Sequence, residues 1–468
     1  MFQSVISAFQ VADIRRKILV TIGLLVIYRL VANIPVPGVD VQQWLAFTQD
    51  GAGLEGLLGV LNLLSGGAVG NFSVLSMGVY PYITASIIMQ LLTPVIPYLE
   101  ELSQEGESGR NRINRFTYYL TVPLALIQAV GQINLVGLQF GGGAALGQIM
   151  PNFGFSEAAN IVPTLVTLLA MTAGTMFAIW LGEQITESGV GQGISLIIFG
   201  GIASQVPLNL LGLIVSTENA TGDRIISLVA FLVITVITVL VIVYIQEGER
   251  RIPVRYSRRI RGSKVYQGQS THLPVKVNTA GMIPIIFASS IMTFPSLVAS
   301  FFIPTGSTPD TDGPGVAFAR TMAQGFNQGA DIEIYRWAPA FYWLFLFIFV
   351  AAFTFFYTNV MMQQQKMGRS LHQRGGFIPG IKPGDKGKRT DEYINKVVSR
   401  ITFVGAVYLG IVAILPGIMA YIAWAVGING LSQSALIING SGMIIIVGVI
   451  IDTMRQIEAQ LVMRSYEG

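Results

Sequence analysis

The stretch MGVYPYITASIIMQLL, Met77–Leu92, has a counterpart in AGMIPIIFASSIMTFP, Ala280–Pro295. In each, a proline (Pro81 or Pro284) opens an apolar run rich in isoleucine, alanine and serine. Both runs are uncharged and belong to segments of about 20 residues, the length that carries a helix across a hydrocarbon core. Two such copies related by an axis in the membrane plane divide a chain into halves of opposite insertion. The two helices then face each other across the central axis.

The rest of the chain fits that reading. Of its 468 residues, 52% are hydrophobic and 12% charged, and the mean hydropathy is +0.61. A soluble domain carries about 25% charged residues, so this composition leaves too little polar surface for a soluble globule. Apolar runs mark ten spans: 18–34, 74–96, 116–136, 161–181, 194–215, 225–245, 282–303, 338–360, 401–422 and 437–451. The expected fold is an all-α polytopic membrane protein with two inverted five-helix halves, residues 1–215 and 216–468. DIRRKILVTIGLLVIYRLVANIPVPG opens with basic residues before its apolar run. Pro35 and Pro37 follow that run where a signal peptide would have a small-residue cleavage site, so it reads as a retained first helix.

Basic residues fall on alternate loops: Arg15, Arg16 and Lys17; Arg110, Arg112 and Arg115; residues 250–276 and 366–400; Arg455 and Arg464. The opposite loops carry only Arg224, Arg320 and Arg336. The positive-inside rule then places both termini in the cytoplasm. Two cytoplasmic loops, 247–276 and 361–400, hold most of this charge and are longer than most connections in a bundle. Topology explains their sign but not their length, nor the apolar Ile252, Val254, Tyr256, Phe377, Ile378 and Ile381 among the charges. These loops read as a docking surface for an acidic or RNA-containing partner.

The residues an enzyme or coupled transporter needs are missing. Arg29 sits toward the outer end of the first span, where it can snorkel, and Glu183 and Asp452 lie near cytoplasmic ends. The central turns of most spans hold no charge, although intramembrane charges normally mark ion or proton paths. The sequence contains no GxxxxGK[ST], HExxH or GxSxG, and GDKGKRT at Gly384–Thr390 lacks the Walker spacing. There is no cysteine, and His272 and His372 lie in charged loops, so neither a thiol site nor a metal site is expected, and no cofactor. LLSGGAVGNF, Leu63–Phe72, is too short and glycine-rich to span and too apolar for a solvated loop. A flexible apolar segment beside an apolar passage suggests a gated pore, since hydrophobic constrictions gate by dewetting. A secondary transporter and a non-conducting scaffold are the alternatives.

Six ordered blocks resemble the SecY family: LNLLSGGAVGNFSVLSMGVYPYITASIIMQLL, EGESGRNRINRFTYYLT, LGEQITESGVGQGISLIIFGGI, RRIPVRYSRR, HLPVKVNTAGMIPIIFASSIMTFP and GGFIPGIKPGDKGKRTDEYINKVVSRITFVGA. The likeness runs essentially from residue 10 to residue 465. It implies the pore-forming subunit of a protein-conducting channel in the plasma or inner membrane, passing unfolded polypeptides across and releasing transmembrane segments sideways. It implies a plug half-helix at 59–73, including Leu63, Leu64, Ser65, Gly66, Gly67, Gly70 and Asn71, with a small buried area and hence a small cost of displacement. The pore ring carries over onto Val79, Ile83, Ile194, Ile198, Ile286 and Ile445, with Val79 one methylene smaller than the isoleucine usual there. A lateral gate is implied between the second and seventh spans, at Thr84, Gln90, Asn278 and Ser289, with Gln90 and Asn278 opposed. Docking of the ribosome or the motor ATPase SecA falls to Arg255, Arg258, Arg259, Arg261, Lys382 and Lys386, with Lys382 replacing the family's usual arginine. The small subunits SecE and SecG, signal sequences, nascent polypeptides and membrane lipids are the other implied partners.

Overall fold

The computed structural model describes residues 11–49, 62, 65–139, 143–154, 158–215, 221–256, 259–261, 264–266, 270–303, 313–326, 338–365, 367–381, 387–426 and 440–465. A helix stands at each expected span. The N-terminal half contains α1 (Ala12–Val31), the short α2 (Val41–Gln49), α3 (Tyr80–Leu92), α4 (Pro97–Gln104), α5 (Glu107–Gln139), α6 (Gly143–Ile149), α7 (Ala158–Ser188) and α8 (Gly193–Val215). After α9 (Thr221–Glu247) come strands β1 (Glu249–Tyr256), β2 (Arg259–Arg261), β3 (Lys264–Tyr266) and β4 (Ser270–Lys276). Then follow α10 (Ile283–Phe301), α11 (Pro314–Gly325), α12 (Ala338–Gln365), α13 (Met367–Gln373), β5 (Gly376–Phe377), α14 (Lys388–Val426) and α15 (Gly440–Ser465). Among the described residues, five runs are long and apolar enough by themselves to cross a membrane: 107–137, 158–188, 283–301, 341–373 and 388–418. α3 and α4, bent by 100°, make a sixth if they count as one span.

The second span does not start at Val74 as the apolar run suggested. Residues 74–79 fold as turns, and the helix begins at Tyr80. Gly78 takes φ +51°, a left-handed conformation that a helix interior excludes and glycine permits. Pro81 then occupies the first turn, where its missing N–H costs nothing. α10 starts by the same device, with Gly281 at φ +67° and Pro284 in the first turn. In both, the glycine stands three residues before the proline. The two helix starts therefore match in backbone conformation as well as in residue type. At 1.5 Å per residue α3 is only about 20 Å long, short of the roughly 30 Å of a hydrocarbon core.

The helices of both halves bury one large apolar cluster, to which α1, α3, α5, α7, α8, α10, α12, α14 and α15 all contribute. Outside it lies a second, smaller core, formed by the two long basic loops. β1 is the centre of an antiparallel sheet in the order β4-β1-β5, with Ile252 opposite Leu273 and Arg255 opposite Phe377. The two-residue period of a strand turns Ile252 and Val254 inward and leaves Arg251, Pro253 and Arg255 exposed. The inward pair meets Val275, Met362, Leu371, Ile378, Ile394 and Val398, with Tyr256 and Ile381 packed at the edge. The apolar residues among the loop charges are thus the core that folds the two loops into one layer, not a contact surface for a partner. The exposed charges alone are left for docking.

Candidate functional site

The six aliphatic residues assigned to the ring come from four helices of both halves. Val79 is the N-cap of α3 and Ile83 lies one turn in. Ile194 and Ile198 stand a turn apart at the start of α8. Ile286 is in the first turn of α10, and Ile445 is in the second turn of α15. Val79, Ile83, Ile198, Ile286 and Ile445 are buried and Ile194 partly so, all within the same apolar cluster. Branched aliphatics close on one another by dispersion and offer a passing chain no hydrogen bond. The matched helix starts also make Met282, the N-cap of α10, the counterpart of Val79. Met282 is buried in the same cluster, and the shared Gly-x-x-Pro spacing was the signal in the sequence for it.

The segment leading to α3 is anchored more firmly than its glycines suggested. Leu63 and Leu64 lie outside the described residues, as does most of the expected half-helix. From Ser65 onward the chain makes turns and a short 3-10 helix, Val69–Asn71. Ala68, Val69 and Phe72 are almost wholly buried. The Tyr28 hydroxyl donates to the Ser65 carbonyl at 2.6 Å, and Trp44 Nε1 donates to the Gly70 carbonyl at 2.8 Å. Asn71 Nδ2 donates to Asn33 Oδ1 at 2.9 Å, and the Val36 and Val74 amides bond to the Phe72 and Ile34 carbonyls at 3.0 Å each. Gly66 lies backbone to backbone on Gly201 of α8, where an added Cβ would stand 2.0 Å from the Gly66 Cα. Gly67 and Gly70 are half-buried. The small buried area expected of this segment does not hold for residues 65–73. Their backbone bonds and contacts hold them to α1, α2 and α8.

α3 and α10 do face each other, but through a different residue pair. The Tyr80 hydroxyl donates to the Ser290 carbonyl at 3.1 Å. Gln90 and Asn278 are not bonded across the gap. Gln90 Nε2 donates to Ser86 Oγ at 3.1 Å within its own helix. Asn278 precedes α10 and donates to the Gly281 carbonyl at 3.0 Å, closing the loop that starts that helix. Ser289 Oγ bonds back to the Ile285 carbonyl of its own turn at 2.8 Å. Thr84 accepts from Gln128 Nε2 of α5 at 3.2 Å, so it meets the third span. Short polar side chains in a helix satisfy themselves on the preceding turn, which is why spacing alone did not identify the cross-helix pair. Arg29 also departs from expectation. Its Nη2 donates inward to the Gly200 carbonyl at 2.6 Å and the Gly201 carbonyl at 3.0 Å, and to Ser204 Oγ. Two glycines in a row leave those carbonyls open to it.

Of the docking arginines, Arg255 is exposed on β1, while Arg259 and Arg261 lie in β2. Arg258, Lys382 and Lys386 lie outside the described residues. Among the described residues no three His, Asp or Glu side chains converge as metal ligands would.

The SecY family model matches residues 73–454. The protein translocase subunit SecY of Halalkalibacterium halodurans is 40% identical over all of this chain and 99% of its own. That of Corynebacterium glutamicum is 39% identical over 99% of each. Among solved structures, a protein-conducting channel superposes with a TM-score of 0.61 at 17% identity, covering 96% of this chain and 93% of the other. Sec61 in the canine ribosome–channel complex superposes at 0.59 and 15% identity, covering 96% and 93%. Both structural likenesses speak to the fold.

Proposed function

The chain belongs to the SecY family, and from that premise we propose how its geometry works. The chain is a protein translocase subunit, the pore-forming member of a protein-conducting channel, and not an enzyme. What supports this is that the six aliphatic residues assigned to the ring, from four helices of both halves, all belong to one apolar cluster. Such a constriction keeps out water and ions at rest. It widens around an extended polypeptide without binding it, because it presents no donors or acceptors.

In this reading ten helices span the plasma or inner membrane, in halves 1–215 and 216–468, with both termini cytoplasmic. The segment 59–73 is the plug. The hydrogen bonds of Ser65, Gly70 and Asn71 support the view that its later part is a fixed hinge, so displacement belongs to the residues before it. The lateral gate lies between α3 and α10 and is latched by Tyr80 on Ser290. Gln90 and Ser289 bond within the two helices, Asn278 closes the loop that starts α10, and Thr84 ties α3 to α5. The folded layer of β1, β4 and β5 presents Arg255 to a ribosome or to SecA, and Arg258, Arg259, Arg261, Lys382 and Lys386 add to the charge of the same two loops. SecE and SecG complete the complex, and signal sequences, nascent chains and lipids meet it at the gate.

The test is the resting ion conductance of the full chain in planar bilayers. Ile286→Asn or Ile445→Asn places an amide in the apolar ring, where burying it unpaired costs roughly 1–3 kcal/mol and hydrating it opens a water path. Either variant is expected to leak where the unaltered chain is tight. Silence in both would remove the ring assignment.

A further inference from the structure

Glu183 lies within α7, five residues before its last residue, Ser188. α7 is a 31-residue helix, so it is about 46 Å long and overruns the hydrocarbon core. Glu183 therefore stands where the helix passes from lipid toward the cytoplasmic mouth, a costly depth for an ionised group. Its carboxylate accepts a hydrogen bond from the Tyr118 hydroxyl of α5. The Tyr118 ring stacks on that of Tyr82 in α3, with centroids 5.7 Å apart and planes at 25°. Tyr82 is the residue before Ile83 of the ring.

The turn of α7 that carries Glu183 also lies against a second ring member, through its neighbour Gly182. Gly182, the residue before Glu183, is pressed against the start of α8. An added Cβ there would stand 3.0 Å from Ile194 Cγ1, and one on Gly193 would stand 1.8 Å from the Gly182 carbonyl oxygen. With no side chain at either glycine, α7 lies directly on Ile194. A continuous line of contacts thus runs from Ile194 through Gly182 and Glu183 to Tyr118, Tyr82 and Ile83. It joins the α8 and α3 sides of the constriction across four helices.

We propose that Glu183 is a positioning residue of the channel: through Tyr118 and Tyr82 it holds α3 in register with α7 and α8, and so sets how firmly the ring stays closed. This rests on the pore reading above. A phenol donating to a carboxylate is stronger than a neutral pair, and in a low-dielectric surround it is stronger than in water. With the bond broken, α3 and the α5 it stacks on are free to shift toward α10 without carrying α7 along.

The experiment uses the full chain with whatever subunits copurify, reconstituted in planar bilayers. The variants are Tyr118→Phe, Glu183→Leu, Glu183→Gln and the double Tyr118→Phe/Glu183→Leu, with Ile286→Asn as the reference leak. Thermal unfolding in detergent is measured in parallel. Tyr118→Phe and Glu183→Leu are each expected to raise the resting open probability about tenfold, the ratio set by losing one hydrogen bond to a charged group. The double variant should rise no further, because both changes remove the same bond. Glu183→Gln keeps an acceptor and should stay nearest the unaltered chain. The proposal is overturned if Ile286→Asn leaks while Tyr118→Phe and Glu183→Leu conduct as the unaltered chain does, even if they melt earlier, or if their effects add. Silence in Ile286→Asn as well would bring down the pore reading itself, and this proposal with it.

Discussion

The hydroxyl of Tyr80 reaches from one half of the chain to the other and ends on the Ser290 carbonyl. That carbonyl already serves its own helix, so the bond is a supplement that breaks without unfolding either helix. One such bond contributes about 1 kcal/mol, which is about fivefold in an equilibrium. Tyr80→Phe keeps the buried ring and removes only the donor. Single-channel recording is expected to show the closed-to-open ratio falling by about that factor, with no change in thermal stability of similar size. An unchanged ratio would mean that the contact of the two helices is held by apolar packing alone.

At the scale of elements, the proposed function makes α3 and α10 the pair whose separation matters. The chain contains no cysteine, so paired cysteines at Tyr80 and Ser290 can be bridged without background. A short rigid bismaleimide is expected to stop both secretion and membrane insertion while leaving cytosolic partners able to bind, since the docking layer lies elsewhere. Normal transport through a fully bridged channel would place the exit between other helices. The docking layer invites a second comparison. Arg255→Glu changes an exposed charge on a sheet that stays folded. Its effect on partner affinity should fade as salt rises, because exposed charges are screened over about 8 Å at physiological ionic strength. Ile252→Ala instead hollows the core beneath, a change costing about 2–5 kcal/mol. It should weaken binding at every salt concentration and expose both loops to protease. Identical salt profiles for the two variants would show that charge and fold do not act separately there.

For the whole molecule, the alternation of basic loops predicts sidedness. Single cysteines at Ser103, Thr271 and Thr321 report on it with a membrane-impermeant thiol reagent in oriented vesicles. Ser103 and Thr271 should label from the cytoplasmic face, and the exposed Thr321 on α11 only from the opposite one. Labelling of all three from one side would refute the alternation, and labelling of each from the face opposite to that expected would reverse the orientation. Under the proposed function the chain needs no chemistry of its own: a partner on the basic face would supply the work, and the bundle a path with a seal.

The class, the order of the helices and the matched starts of the second and seventh spans were legible in the sequence, which also predicts a sidedness from its charges. Each depends on local quantities: run length, charge sign along the chain, and a proline before an apolar stretch. The ring assignment rests on the family likeness, since an isoleucine that lines a pore and one that packs a helix pair have the same pattern. Three things were decided by tertiary structure. Gln90, Asn278, Thr84 and Ser289 had helical neighbours or loop carbonyls within reach, and a short polar side chain takes the nearest acceptor. Tyr80, long enough to cross, makes the bond between the halves. The apolar residues of the two basic loops could be known as a core only once β1 had paired with β4 and β5, which lie about 20 and 120 residues further along the chain. The anchoring of residues 65–73 depends on Tyr28, Trp44 and Gly201, none of which is adjacent in sequence. Period and composition describe what a segment prefers. Which partner satisfies it depends on distances that exist only in the folded chain.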